Sequence, residues 1–311
     1  MSARPPQAPP DAAFMRAARL RRDAERAAGA LPPLLVEARR LAAAVSSGAH
    51  GRRRAGAGEA FWQYRRAMPG DPASAVDWRR SARSDQLFVR ETEWESPQSV
   101  WLWADDAASM SCRSAAAPRA KRDRAALLAL ALAALVIRGG ERAALLGAGR
   151  PGAGEAQLRR MAAALAAPPA ADDARPAWGA PPAAAWTRGG TAVFLSDFLG
   201  PLAPVEAALR AAAAAGVGGV CLQILDPAEE AFPFDGRVDF LSPDGAMRHD
   251  AHRAESLREA YRRRLAERRA RLRDAARRSG WQFGVHRTDQ SARAALVWLH
   301  GAVAARRERL C

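Results

Sequence analysis

From Ser99 onward, short apolar runs alternate with longer stretches in which apolar residues recur every three or four positions. The first pattern marks buried strands and the second marks helices with one apolar face. Read in order, Val100–Ala104 is a strand, Lys121–Arg138 an apolar helix, Arg142–Ala148 a strand and Glu155–Ala166 a helix. Thr191–Leu195 is the next strand, Pro204–Ala215 a helix, and Gly216–Leu225 a glycine-rich strand. Phe232–Gly245 carries turn signals at Asp235-Gly236 and Asp244-Gly245 and reads as a hairpin. Arg253–Arg278 is a long charged helix, Trp281–His286 a strand, and Ser291–Arg306 a closing helix. This alternation favours an α/β fold with a largely parallel sheet and helices on both faces, because right-handed crossovers place them there. The Pro/Ala-rich stretch Pro168–Ala185 is expected to be a surface loop.

The N-terminal third reads differently. Residues 1–11 are rich in Pro and Ala and are expected to be disordered. Leu34, Ala38, Leu41 and Val45 share one helix face, and Ser46–Gly58 is a basic, glycine-rich connector. Phe61–Glu95 then concentrates aromatic residues and charges. Asp71 is expected to cap a short helix with Pro72 at its first position. That helix carries Val76, Asp77, Trp78, Arg79, Arg80 and Arg83, and Leu87, Val89 and Glu91 begin a strand. The chain thus divides into a disordered and helical segment, 1–50, an aromatic and basic segment, 51–97, and an α/β domain, 98–311.

Composition narrows the function classes. The net charge is +15, but Lys121 is the only lysine and alanine is abundant, as a GC-rich coding bias would give. Arginine clusters at 52–54, 262–264 and 268–273 lack an aromatic stacking platform, which argues against nucleic acid. An arginine-driven nucleic-acid binder is kept as an alternative. In the long charged helix Leu257, Tyr261, Leu265, Leu272 and Ala276 form one stripe, and Glu259–Arg263 and Glu267–Arg271 are spaced for ion pairs. The arginine face reads as a solvated surface or as a docking face. Cys112, Cys221 and Cys311 are odd in number and far apart, so no disulfide framework or zinc site is expected. No apolar run approaches the ~18 residues that span a bilayer, and no secretory signal stands at the N-terminus. Both readings favour the cytoplasm.

Two carboxylates sit where α/β sheets bind ligands, beyond the C-terminal strand ends: Asp105 and Asp197. With Ser109, and with Asp106 or water, they supply the oxygen ligands that suit Mg²⁺. The alternative, which the residues suit better, is that Asp105 and Asp197 cap helix N-termini and organise loops. His249, Asp250 and His252 read as a polar helix start rather than a metal cluster. No Gly-x-Ser-x-Gly elbow and no Walker-type loop is present, so neither serine hydrolysis nor ATP hydrolysis is expected.

The stretch from Gly56 through Met110 resembles bacterial domain-of-unknown-function family fifty-eight. The matching residues are Gly58-Glu59-Ala60-Phe61, Tyr64-Arg65, Pro69-Gly70-Asp71, Val76-Asp77-Trp78, Ser81-Ala82-Arg83, Leu87, Val89-Arg90-Glu91, and Asp105 with Ser109-Met110. The resemblance implies a von Willebrand factor A-like domain. It also implies a partnership with a MoxR-type AAA+ ATPase in the assembly or maturation of a client protein. Many members carry N-terminal membrane-spanning helices; no such run stands in this sequence. The metal motif of related domains is Asp-x-Ser-x-Ser, whereas here it reads Asp105-Asp106-Ala107-Ala108-Ser109, with a methyl group for the first hydroxyl. The threonine of the middle loop is also missing, because Thr187 and Thr191 precede a strand. Asp71, Asp77, Arg83 and Glu91 either form a surface that a partner reads, or only cap a helix and pair Arg83 with Glu91. The reading as a whole is a non-catalytic protein-binding module. A Mg²⁺-dependent phosphoester hydrolase using the same carboxylates is a further alternative.

Overall fold

The computed structural model describes residues 33–48, 61–69, 71, 73–84, 86–92, 98–167 and 175–308. The N-terminal residues expected to be disordered, most of the basic connector, Pro72 and Cys311 lie outside the described residues.

Five strands form one parallel sheet: β3 (Ser99–Ala104), β4 (Arg142–Leu145), β5 (Thr191–Ser196), β6 (Gly218–Leu225) and β9 (Gln282–Arg287). Their spatial order is β4-β3-β5-β6-β9, so the chain starts near one edge and works outward in both directions. The switch in direction falls between β3 and β5, whose C-terminal ends carry Asp105 and Asp197. Both faces of the central strands β3, β5 and β6 are covered, which explains why they read as continuous apolar runs. Val100 and Leu102 of β3 face one core, and Trp101 and Trp103 face the other.

The first core is built around α3 (Lys121–Arg138), whose residues from Ala125 to Val136 are all buried. A helix that is apolar all round must be covered on every side. The sheet covers one side, and α4 (Gly154–Ala166), α8 (Ala292–Glu308) and α1 (Pro33–Gly48) cover the rest. Leu35, Ala38 and Ala42 of α1 are fully buried in this core. α1 stands apart from the α/β domain in sequence, but its apolar face packs as a layer of that domain. The second core lies on the opposite face, under α5 (Leu202–Ala214) and α7 (Arg258–Arg278). This is the von Willebrand factor A-like arrangement expected from the sequence. Among the described residues, no helix is long and apolar enough to cross a membrane.

Two smaller units flank the sheet. β1 (Phe61–Arg66) pairs antiparallel with β2 (Phe88–Thr92), and α2 (Trp78–Ser81) lies between them in sequence. After β6, the short helix α6 (Pro227–Ala231) leads to a hairpin of β7 (Val238–Leu241) and β8 (Arg248–Ala251). The hairpin exists as expected, but it turns at Asp244-Gly245, and its second strand is β8. His249 and Asp250 are therefore strand residues, and Asp250 pairs with Arg237 rather than starting a helix. The hairpin is held by Phe232, Phe234, Phe240 and Tyr261, whose rings meet at 4.8–5.6 Å. A single 3₁₀ turn over Ala254–Leu257 leads into the long helix, whose α-helical part begins at Arg258 and not at Arg253.

The arginines of α7 do more than solvate a face. Arg258 donates to the carbonyls of Phe232 and Phe234, Arg262 to that of Ala231, and Arg268 to those of Phe198 and Gly200. Each ties a loop at the C-terminal edge of the sheet to the helix. Of the expected ion pairs, Glu259 lies 3.8 Å from Arg262, one position earlier than the sequence spacing suggested.

Because α1 fills the core around α3, Leu35→Ala is expected to lower stability by about 2–4 kcal/mol, as a buried leucine truncation does. Urea unfolding of the full chain measures this. A midpoint unchanged from the parent protein would mean that α1 is dispensable to the core.

Candidate functional site

The C-terminal edge of the sheet gathers the acidic residues singled out from sequence. The N–H of Asp105 continues the β3–β5 ladder by donating to the Leu195 carbonyl at 2.9 Å. Its carboxylate then turns back on the chain: Oδ1 accepts the Ala107 N–H at 2.9 Å, and Oδ2 accepts the Ser196 hydroxyl at 2.6 Å. Ser196 Oγ in turn accepts the Phe198 N–H, and Asp197 Oδ1 accepts the Leu199 N–H. These short-range bonds are the usual work of Asp and Ser in turns. They hold Phe198 at φ 48°, a left-handed conformation uncommon for a non-glycine residue.

A second layer closes over Asp105. The Pro/Ala-rich segment is not simply a surface loop, since Pro176 and Ala177 accept the N–H groups of Ala108 and Ser109. Gly179 lies so close that any Cβ there would overlap the Asp105 carboxylate, and Trp178 packs on Gly200 in the same way. Asp105 is consequently 2% exposed, Asp197 1% and Ser109 5%. Ser109 Oγ is buried without a protein partner, and Asp106 points outward.

The centre of the edge is a lysine that the sequence reading passed over as a site residue. Lys121 begins α3, is fully buried, and places Nζ 2.8 Å from Asp197 Oδ2 and 2.5 Å from Glu229 Oε1. Glu229 Oε2 accepts the Asp226 N–H, and Asp226 caps α6 through the Ala228 N–H. The other oxygen of Asp226 accepts the Ser114 N–H from the loop that leads to α3. Gln223 donates to the Asp197 carbonyl and accepts from Arg269, which also pairs with Glu230. Burial works against the charge of Lys121, but the Asp197 and Glu229 carboxylates outweigh it and hold its pKa above the ordinary lysine value. The two carboxylates thus favour the ammonium form of the lysine in the fold.

This arrangement bears on the expected magnesium. Mg²⁺ needs several oxygens free of competing cations, yet Asp197 Oδ2 is taken by Lys121 and Asp197 Oδ1 by the Leu199 N–H. An ammonium and a divalent ion about 4 Å apart repel by roughly 8 kcal/mol at an effective dielectric of about 20. Among the described residues, no three His, Cys, Asp or Glu side chains are grouped to hold a metal. The donor set fits an ammonium and does not fit Mg²⁺. Asp105 and Asp197 are neighbours, close enough for Asp197 to act on the Asp105 charge, but each carboxylate serves its own partners. Neither caps a helix: both close turns, and α5 has no side-chain cap.

The N-terminal candidates separate as well. Asp77 caps α2 through the Arg80 N–H and accepts the Tyr64 hydroxyl at 3.0 Å. The Asp71 carboxylate accepts the Met68 N–H, three residues upstream, and closes a turn; the expected cap involves Pro72, which lies outside the described residues. Arg83 is exposed and lines a groove of 400 Å³ with Tyr64, Asp77, Arg79, Arg80 and Phe88. Arg80 stacks over the Tyr64 and Phe88 rings, 4.4 and 5.2 Å from their centres. Glu91 belongs to β2, and its side chain lies outside the described residues, so its pairing with Arg83 does too.

Burial pushes the Asp105 carboxyl up from 3.8 to about 6. The Ser196 and Ala107 hydrogen bonds pull it back, and the Asp197 and Asp106 charges add to the rise. An acid whose folded pKa is raised stabilises the fold fully below its unfolded pKa and loses that contribution as pH rises through the folded value. For this shift the loss amounts to about 3 kcal/mol. His286 masks it in the parent protein: burial, then Arg124, lower its pKa to about 4. Its contribution is present above about 6.5 and is lost as pH falls toward 4. Asp105→Asn removes one of the two titrations. Its stability relative to the parent is expected to rise by about 2–3 kcal/mol from about pH 4 to about pH 7, read from urea midpoints. A difference that stays constant with pH would show that the carboxyl is not held neutral.

A search of curated protein sequences finds no match. An aerotolerance-related membrane protein from Bacteroides fragilis NCTC 9343, solved with multiple mutations to serines, is 14% identical with a TM-score of 0.39. The match covers 67% of this chain and 99% of that one. The conserved hypothetical protein BatB from Bacteroides thetaiotaomicron is also 14% identical, with a TM-score of 0.36, over 68% of this chain and 99% of that one. The family model described as protein of unknown function DUF58 matches residues 63–271, covering most of the aromatic segment, the acidic edge of the sheet and most of α7. With well over half of its length covered by that model, the chain belongs to the DUF58 family.

Proposed function

We propose that this chain is a non-catalytic protein-binding module that works with a MoxR-type AAA+ ATPase, on the cytoplasmic side, in the assembly or maturation of a client protein. The observation that carries the reading is the surface of the β1–β2 unit. Met68, Trp78 and Leu87 are 66%, 60% and 49% exposed. Ala67 bonds to the Leu87 carbonyl and Asp77 to the Phe88 carbonyl, which brings all three to the same end of the unit. Exposed Arg79, Arg80 and Arg83 stand beside them around the groove. Trp, Met and Arg are the residue types that interfaces concentrate. The internal engagement of Asp105 and Asp197 supports the same reading, because a hydrolase needs its carboxylates within reach of substrate. Of the sequence candidates, this reading takes Asp77 and Arg83 of the N-terminal unit as part of the partner surface and leaves Asp105, Ser109 and Asp197 inside the fold.

Binding of the purified MoxR-type ATPase to the full chain tests the proposal. Trp78→Ala and Arg83→Glu are each expected to weaken it at least about tenfold, as central Trp and Arg contacts do. Unchanged affinity in both variants would exclude this surface. Failure of the parent chain to bind would exclude the ATPase as its partner.

A further inference from the structure

Among the 48 basic residues of the chain only Lys121 is a lysine. The other 47 are arginines, so a compact cation is used at a single position. That position is fully buried between two carboxylates. Elsewhere in the interior the chain uses arginine: Arg124, one turn further along α3, fans its guanidinium onto the Thr288 and Gln290 carbonyls at 2.8 and 3.0 Å. A planar five-donor fork suits spread carbonyls, whereas a point charge with three donors suits converging carboxylates. The use of lysine at 121 thus follows the shape of its site.

We infer that Lys121 is a resident cation, an ammonium built into the chain at the place where the oxygens of Asp197 would otherwise bind a divalent ion, so that this edge of the sheet is locked without metal. Three crossover connections converge on it. Asp197 follows β5, Glu229 lies in α6 after β6, and Lys121 opens the helix after β3. One charge therefore ties together three loops that are distant in sequence, as a bound ion would. The oxygens that do not face Nζ are held by backbone N–H groups, Asp197 Oδ1 by Leu199 and Glu229 Oε2 by Asp226. A metal could enter only by displacing the lysine. Ser109, with its buried hydroxyl lacking a protein partner, marks the remaining oxygen near the loop after β3. The inference does not depend on the partner surface of the N-terminal unit, and either can fail without the other.

The test is thermal unfolding of the full chain in EDTA and in millimolar MgCl₂ or MnCl₂. The parent protein is expected to show the same midpoint in all three. Lys121→Ser leaves two carboxylates and a hydroxyl facing the vacated space, and its midpoint is expected to rise by several degrees with Mg²⁺ or Mn²⁺. Adding Asp197→Asn to that variant should abolish the rise. Stabilisation of the parent protein by Mg²⁺, lost in Asp197→Asn, would overturn the inference, as would a folded Lys121→Ser indifferent to metal. If Lys121→Ser does not fold, selective ¹⁵N-lysine labelling of the parent chain still decides. The single Nζ resonance should stay fixed through a Mg²⁺ titration. A saturable shift would mean that the ion reaches Asp197 and Glu229 and displaces the lysine.

Discussion

An ammonium withdrawn from water is tolerated only where negative charge meets it at hydrogen-bonding distance. At Lys121 two carboxylates do so, and the three groups belong to three different connections of the sheet. Removing one member of such a buried set typically costs about 3–5 kcal/mol, because the remaining charge is left uncompensated. The ends of β3, β5 and β6 are therefore fixed relative to one another by charge as well as by the ladder between them. The turn at Ser196–Leu199, the cap at Asp226 and the Arg269–Glu230 pair are arranged around that centre.

Around this locked edge the two faces of the sheet do different work. One is buried under an apolar helix and three covering helices, and it supplies most of the burial. The other packs an aromatic layer, with Trp103, Phe194 and Trp281 at ring distances of 4.7–5.7 Å. That layer lies beneath a helix whose arginines reach over to the loop carbonyls. In the N-terminal antiparallel unit, apolar and cationic side chains remain in solvent. The division is consistent physically. A rigid sheet edge, sealed by the Pro/Ala-rich segment and Gly179, cannot open to substrate without breaking its own hydrogen bonds.

Much of the fold was legible in the sequence because periodicity survives translation into packing. Alternating strands and helices gave the parallel sheet, and the all-apolar stretch after Lys121 gave its buried helix. The errors fell where long-range contacts override local signals. His249 and Asp250 look like a helix start, but aromatic packing of the hairpin against Tyr261 makes them a strand. The sole lysine was countable, but its use was not, since arginine-rich coding bias accounts equally well for its rarity.

The sequence by itself determined the α/β class, the family motif and the placing of Asp105 and Asp197 at strand ends, because each follows from local pattern and chain order. Only tertiary structure decided what those carboxylates face. Sidedness and partner choice depend on residues such as Lys121, Ser196, Gly179 and Glu229, which approach them from other connections. Whether a buried carboxylate meets a metal, a proton or an ammonium is set by which charge lies within a few ångströms, and no spacing along the chain encodes that distance.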